Sequence, residues 1–374
     1  MIERLSLRNF KSIKDEVFDF EGLTLFSGLN GMGKSTALQS MLILRQSYEK
    51  HLLPDIGISL TGEYVCIGNG NDLLFNDAEE ELIDIEVIWS NSSLDLHFYY
   101  SEKSDMQPIN KNDNDEDIKG TPFKESLFTP SFQYLSAERI IPRSTYDVSE
   151  YAVNQRRSLG VKGEFTAHFL AEHGNDAISI KAFKHPDTLT DYFIDNLNAW
   201  MSEITPGTKV IAKLIPEINK ASLHYRFSSA NAITANFRPE NTGFGLTYVL
   251  PVVTAVLSAR SGDLLLIENP ESHLHPAGQA LIAKLIAIAA DNNVQIIIET
   301  HSDHFLNGIR QSVKSKLIDA DNVCVYFLSR DIDSSEHSVQ VGKVAIEPSG
   351  RIEYWPKGFF DEWEKSLNKL IESD

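Results

Sequence analysis

Gly28-Leu-Asn-Gly-Met-Gly33-Lys34-Ser35-Thr36 follows directly on the alternating apolar segment Leu23-Thr-Leu25-Phe26. The stretch matches G-x-x-x-x-G-K-[ST], and its flanks carry as much weight as the match. A strand-like segment precedes it, and the helix-compatible run Ala37-Leu-Gln-Ser-Met-Leu-Ile-Leu44 follows at once. Between strand and helix, three glycines let the backbone curl until successive N–H groups point at one phosphate, and the helix begins there with its positive dipole end. Asn30, Gly31, Gly33 and Thr36 are expected to line the phosphates. Lys34 is expected to reach the β/γ-phosphates and Ser35 to ligate Mg²⁺ through its hydroxyl. The stretch predicts a nucleoside triphosphate site at the edge of an α/β sheet.

Three elements past residue 240 extend that site. Leu264-Leu-Leu-Ile267-Glu268-Asn269-Pro270-Glu271 is an apolar run ending in carboxylates, the way a buried parallel strand delivers an acid to a sheet edge. Beside a phosphate loop, Glu268 is expected to hold Mg²⁺. Gln295-Ile-Ile-Ile298-Glu299-Thr300-His301 is a second such strand, ending in a histidine able to hydrogen-bond a γ-phosphate or an attacking water. Ala280 to Ala290 has the spacing of a crossover helix, which would bring His301 to the same edge as Glu268. Asn241-Thr-Gly243-Phe-Gly245-Leu246 precedes the apolar helix Thr247 to Leu257, and glycines at a helix start suit an anion or a simple cap.

Composition frames these motifs. The 374 residues are 42% apolar and 23% charged, ordinary proportions for a soluble globular protein. No secretory leader is visible at the start, the longest apolar run contains Pro251 and is too short to span a bilayer, and no membrane role is expected. Two distant cysteines, Cys66 and Cys324, offer neither a disulfide framework nor a thiolate metal site, which makes the cytoplasm the natural compartment. The net charge of −19 gives nucleic acid no general attraction. Arg139, Arg143, Arg156, Arg157 and Lys162 form a basic concentration, a candidate contact surface for a partner protein with nucleic acid as the rival ligand, although internal ion pairs are the commoner origin of such a cluster.

Up to about Leu135, short β-like segments dominate: Glu3 to Phe10, Leu23 to Phe26, Leu82 to Trp89 and Leu94 to Tyr100. Ser101 to Gly120, rich in Asp and Asn, reads as a mobile hairpin loop. From Glu164 to Ile204 the apolar spacing turns helical, with Leu189, Phe193, Leu197 and Trp200 on one stripe. The expected organisation is an N-terminal lobe over 1–140 with the phosphate loop and an antiparallel β part, a mainly helical insertion over 141–240, and a C-terminal lobe over 241–374.

Phosphate loop, glycine turn with helix, acidic strand and strand-end histidine stand in the order seen in ABC-type ATPase heads. The opening Ile2-Glu-Arg-Leu-Ser-Leu-Arg-Asn-Phe-Lys-Ser-Ile13, with the phosphate loop, resembles the RecF/SMC and OLD-like branch of that superfamily. Leu135-Ser-Ala-Glu-Arg139, Asn241-Thr-Gly-Phe-Gly245, Ile267-Glu-Asn-Pro-Glu-Ser-His-Leu-His-Pro276 and Trp355-Pro-Lys-Gly-Phe-Phe-Asp361 resemble a bacterial family of stand-alone AAA-type ATPases often found near defence genes. The resemblance implies an α/β fold: an ABC-type P-loop NTPase head with a mixed sheet, parallel at its core and flanked by helices, an antiparallel β lobe and a helical insertion. It implies ATP and Mg²⁺ as cofactors and a head-to-tail homodimer closing on two ATP molecules. Lys34 and Ser35 of one subunit would then face Gly243 and Gly245 of the other, and His301 would sense the γ-phosphate. It further implies an ATP-driven switch for an effector protein such as a nuclease or toxin, in anti-phage defence or DNA maintenance.

One departure bears on chemistry. Heads of this superfamily mostly end the acidic strand in Asp-Glu, whose second residue polarises the attacking water, whereas this chain has Glu268-Asn269. An amide accepts no proton, so Glu271 is the expected base, or turnover is slow. Two other functions compete. A self-contained OLD-like nuclease needs a metal-binding acidic cluster, for which the tail offers the scattered Asp303, Asp331 and Asp333. A transporter ATPase subunit would carry a Leu-Ser-Gly-Gly-Gln signature, absent here. His273-Leu-His275 has no third ligand at metal spacing and is expected to be structural.

Overall fold

The computed structural model describes residues 1–110, 118–229, 232–330, 338–360 and 362–371. Its centre is a six-stranded sheet in the order Gln340–Val344, Val323–Ser329, Leu23–Gly28, Gln295–Glu299, Leu264–Glu268, Phe132–Leu135. Five strands run parallel, and Gln340–Val344 closes one edge antiparallel. These strands are apolar on consecutive residues because both faces are covered. Side chains alternate between two cores: Ile296 and Ile298 face one, and Ile297 faces the other.

The first core is roofed by the helices Phe244–Ser258, Pro276–Asp291 and Asp303–Lys314, whose Val249, Ile286 and Phe305 pack into it. The second holds Leu38, Met41 and Leu42 of the helix Lys34–Glu49, together with Leu5, Leu7, Ile85 and Val87 of an antiparallel sheet. That sheet runs Ile13–Asp19, Ile2–Phe10, Leu82–Trp89, Ser92–Tyr99, Ile118–Lys119. No helix among the described residues is long and apolar enough to cross a membrane.

Three expectations are corrected. The segment 141–240 is not mainly helical. Its helices Thr166–His173 and Phe193–Ile204 pack on an antiparallel sheet of Thr145–Asp147, Lys220–Ser229 and Thr208–Ile215, with Ala232–Ile233 added to the middle strand. Inward residues two apart, such as Leu223 and Tyr225, carry the strand period there. Leu189 belongs to no helix and is 98% exposed. The loop before Phe193 is held instead by Asn196, whose Oδ1 accepts from the His185 N–H and the Thr188 hydroxyl. Finally, the start of the 101–120 segment is pinned. Met106–Pro108 pairs with Gly57–Ser59, and the buried Gln107 bonds the backbone of Ser101 and Ser104. Residues 111–117 of that expected loop lie outside the described residues.

Candidate functional site

The phosphate loop leaves its strand at Gly28, whose φ of +148° and close approach to the Leu328 carbonyl leave no room for a side chain. It enters the helix through Gly33 at φ +81°, a left-handed cap that costs glycine little. Lys34 is 3% exposed and donates to the Leu29 carbonyl at 2.7 Å, folded back along the loop. Burial lowers its pKa, partly offset by nearby Glu299. The ammonium is thus held against the loop's own backbone.

The Ser35 hydroxyl donates to Glu299 Oε2 at 2.7 Å. Glu299 is the carboxylate at the end of the adjacent strand, two residues before the expected site residue His301. A signal was present: Gln295-Ile-Ile-Ile-Glu299 and Leu264-Leu-Leu-Ile-Glu268 both end apolar runs in glutamate, and register pairs the two acids directly. Burial raises the pKa of Glu299, opposed first by the Ser35 hydrogen bond, with Glu268 adding to the rise.

Glu268, the carboxylate expected to face the metal, sits one strand further from the loop and is clamped by the strand Phe132–Leu135 and the segment after it. Its Oε1 accepts from the Tyr134 hydroxyl at 2.9 Å, its Oε2 from the Ala137 N–H at 2.9 Å, and its carbonyl from Arg139 Nη2 at 2.8 Å. The structure therefore pairs Ser35 with Glu299 and leaves Glu268 beside them, bound to its own neighbours.

Glu271 is buried. Its Oε1 accepts from the Thr300 hydroxyl at 2.7 Å and the His301 N–H at 3.0 Å, tying the turn after the acidic strand to the start of the histidine loop. Its Oε2 has no hydrogen-bond partner among the described residues, and desolvation raises its pKa. Asn269 adopts a left-handed φ of +45°, and its buried Oδ1 is also unpartnered. His301 Nε2 stands 3.9 Å from Glu299 Oε1, and burial with the nearby Lys34 charge holds its pKa below the ordinary histidine value.

Gly243 caps the helix Phe244–Ser258, and a Cβ there would meet nothing within 4 Å. At Gly245 a Cβ would stand 2.6 Å from the His273 carbonyl, so that glycine serves packing inside the chain. His275 accepts from the Ala277 N–H as a helix cap, and His273 packs its ring 4.6 Å from Tyr248. Among the described residues no group of three His, Cys, Asp or Glu side chains is placed to hold a metal. Asp331 and Asp333 lie outside the described residues.

The basic concentration dissolves into internal contacts. Arg139 is buried against the acidic strand, Arg156 pairs with Glu49, Arg157 donates to the Ser258 carbonyl and lies 3.7 Å from Asp263, and Lys162 pairs with Glu138 at 2.8 Å. Of these five residues, Arg143 alone has an exposed side chain with no ion pair among the described residues.

Residues 23–307 match the family model described as "AAA domain, putative AbiEii toxin, Type IV TA system", and residues 318–370 match one described as "Protein of unknown function (DUF3696)". No curated protein matches. Among solved structures, an SmcHead bound to the C-winged helix domain of ScpA is 14% identical, with 92% of this chain and 98% of that one aligned at a TM-score of 0.53. A Smc head domain with an extended coiled coil, bound to the C-terminal domain of ScpA and derived from Pyrococcus furiosus, is 15% identical, with 99% and 98% covered at 0.50. Likeness at this identity is a likeness of fold, and it coincides with the phosphate loop, the sheet order and the two acid-tipped strands. The chain belongs to the AAA-domain family whose model spans about three-quarters of it, and its fold is that of an SMC-type P-loop ATPase head.

Proposed function

We propose that this chain is an ATP-driven switch: it binds ATP with Mg²⁺, closes head to tail with a second copy, and controls an effector protein in bacterial defence or DNA maintenance. Lys34 and the loop N–H groups of Asn30, Gly31 and Gly33 hold the phosphates. The hard oxygen ligands that suit Mg²⁺ come from Ser35 and Glu299, with Glu268 behind them. The metal supplies neutralisation of phosphate charge. Glu271 takes the proton of the attacking water in place of the missing strand-end acid at Asn269, and His301 reads the γ-phosphate.

The observation that carries the dimer is the open start of the helix Phe244–Ser258. Gly243 has free space where a side chain would stand, and Phe244 is 57% exposed beside it. A helix start with bare N–H groups suits a phosphate presented from outside the subunit. The Smc heads of the same fold are bound to domains of ScpA, and a protein partner for this chain is in keeping with that.

Sedimentation velocity with ATP and Mg²⁺ tests the closure. The wild type is expected to dimerise in ATP and the Lys34→Ala variant to stay monomeric. A wild type that hydrolyses ATP while remaining monomeric at every nucleotide state would overturn the switch. Purification from the native host then identifies the effector.

A further inference from the structure

A groove of about 430 Å³ opens between the start of the helix Pro276–Asp291, the helix Asp303–Lys314 and the turn at Ser349–Arg351. In a chain with 53 acidic and 34 basic residues, it is lined by Arg310, Lys314 and Arg351 with no carboxylate among the described residues. Asn307, Gln311 and Ser349 add hydrogen-bonding groups. Two acids border the groove through its lining residues: Glu347 accepts from the Ser349 hydroxyl at 3.0 Å, and Asp303 stands 3.8 Å from His304.

The wall is built rather than incidental. Arg310 donates through Nε to the Gly350 carbonyl at 2.9 Å and through Nη1 to Asn307 at 2.6 Å. A Cβ at Gly350, whose φ is +76°, would stand 2.5 Å from the Arg310 carbonyl, so the turn needs glycine to lie this close to the helix. The close approach brings Arg351 to the Arg310 and Lys314 side of the groove. Lys314 and Arg351 have no ion-pair partner among the described residues. Arg310 also lies 5.3 Å over the Trp355 ring.

We propose that this groove is a second phosphate-binding site, for the phosphates of a nucleotide or of a single nucleic-acid strand, separate from the phosphate loop. Concentrated cations recognise phosphate. The groove's walls also follow the nucleotide-site loops directly. The helix Pro276–Asp291 begins just after the turn carrying Glu271, and the helix Asp303–Lys314 begins just after His301. The Ser302 hydroxyl bonds Gln279, joining the two helix starts, so occupancy of the groove bears on the same elements that ATP engages.

The test uses full-length protein carrying Lys34→Ala, which removes binding at the phosphate loop and makes the result independent of the ATPase reading. Labelled oligothymidylate and free thymidine monophosphate are titrated at low salt, with and without Lys314→Glu and Arg351→Glu. The double reversal is expected to weaken binding at least about tenfold and to lower the log K against log salt slope for the oligonucleotide by about 0.7 per lost contact. Oligothymidylate bound more tightly than the monophosphate assigns the site to a strand, and equal affinity assigns it to a free nucleotide. Absence of binding by both probes, affinity unchanged by the double reversal, or displacement by polyglutamate at equal residue concentration would each overturn the proposal. Circular dichroism of the two surface variants keeps loss of folding apart from loss of the site.

Discussion

The Ser35 hydroxyl and Glu299 Oε2 meet at 2.7 Å, although 264 residues separate them in the chain. Parallel pairing of Leu23–Gly28 with Gln295–Glu299 brings the phosphate loop and this acid to one sheet edge. Glu299→Gln keeps the shape and removes the charge. ATP binding by calorimetry is expected to persist while Mg²⁺-dependent turnover falls about a hundredfold, the scale of losing one electrostatic group from a reaction centre. Wild-type turnover in this variant would return the metal to Glu268.

The same carboxylate makes the protein's stability depend on pH. Burial raises the folded-state pKa of Glu299 above its unfolded value. The folded state therefore holds the proton more tightly, and this contribution to stability is present below the unfolded pKa and lost as pH rises through the folded one. At neutral pH, ligand-free Glu299→Gln should melt higher than the wild type. Scanning fluorimetry should show the difference closing as pH falls to the ordinary carboxylate range. A difference constant with pH would detach it from this titration.

Glu271→Gln separates proton transfer from architecture, because the amide oxygen still accepts from Thr300 and His301. Steady-state kinetics should show kcat reduced about 10²–10⁴-fold, the range for losing a general base, with KM nearly unchanged. Full activity would mean that another group orients the water.

Gly243 and Gly245 should respond differently to the same substitution. Gly243→Glu enters open space, so the monomer should keep its melting temperature and lose ATP-dependent association in sedimentation. Gly245→Glu drives a Cβ toward the His273 carbonyl and should lower the melting temperature without nucleotide. Intact dimerisation of Gly243→Glu in ATP would remove this turn from the interface.

Local signals carried much of the fold. Glycine spacing between a strand and a helix marked the phosphate loop, and continuous apolar runs ending in acids marked buried parallel strands, because both properties reside in neighbouring residues. The period-2 pattern in Thr208–Ile215 and Lys220–Ser229 is weaker in the sequence than the helical spacing around Phe193 to Ile204, and the sheet of this segment follows from its packing. What only the tertiary structure decided were relations between distant residues. Strand order put Glu299 rather than Glu268 against Ser35. The parallel pairing of Phe132–Leu135 with Leu264–Glu268 buried Arg139 against the acidic strand, away from the basic residues it neighbours in sequence. Burial decided which charges face solvent, because a side chain's charge is set by its chemistry and its environment by segments hundreds of residues away.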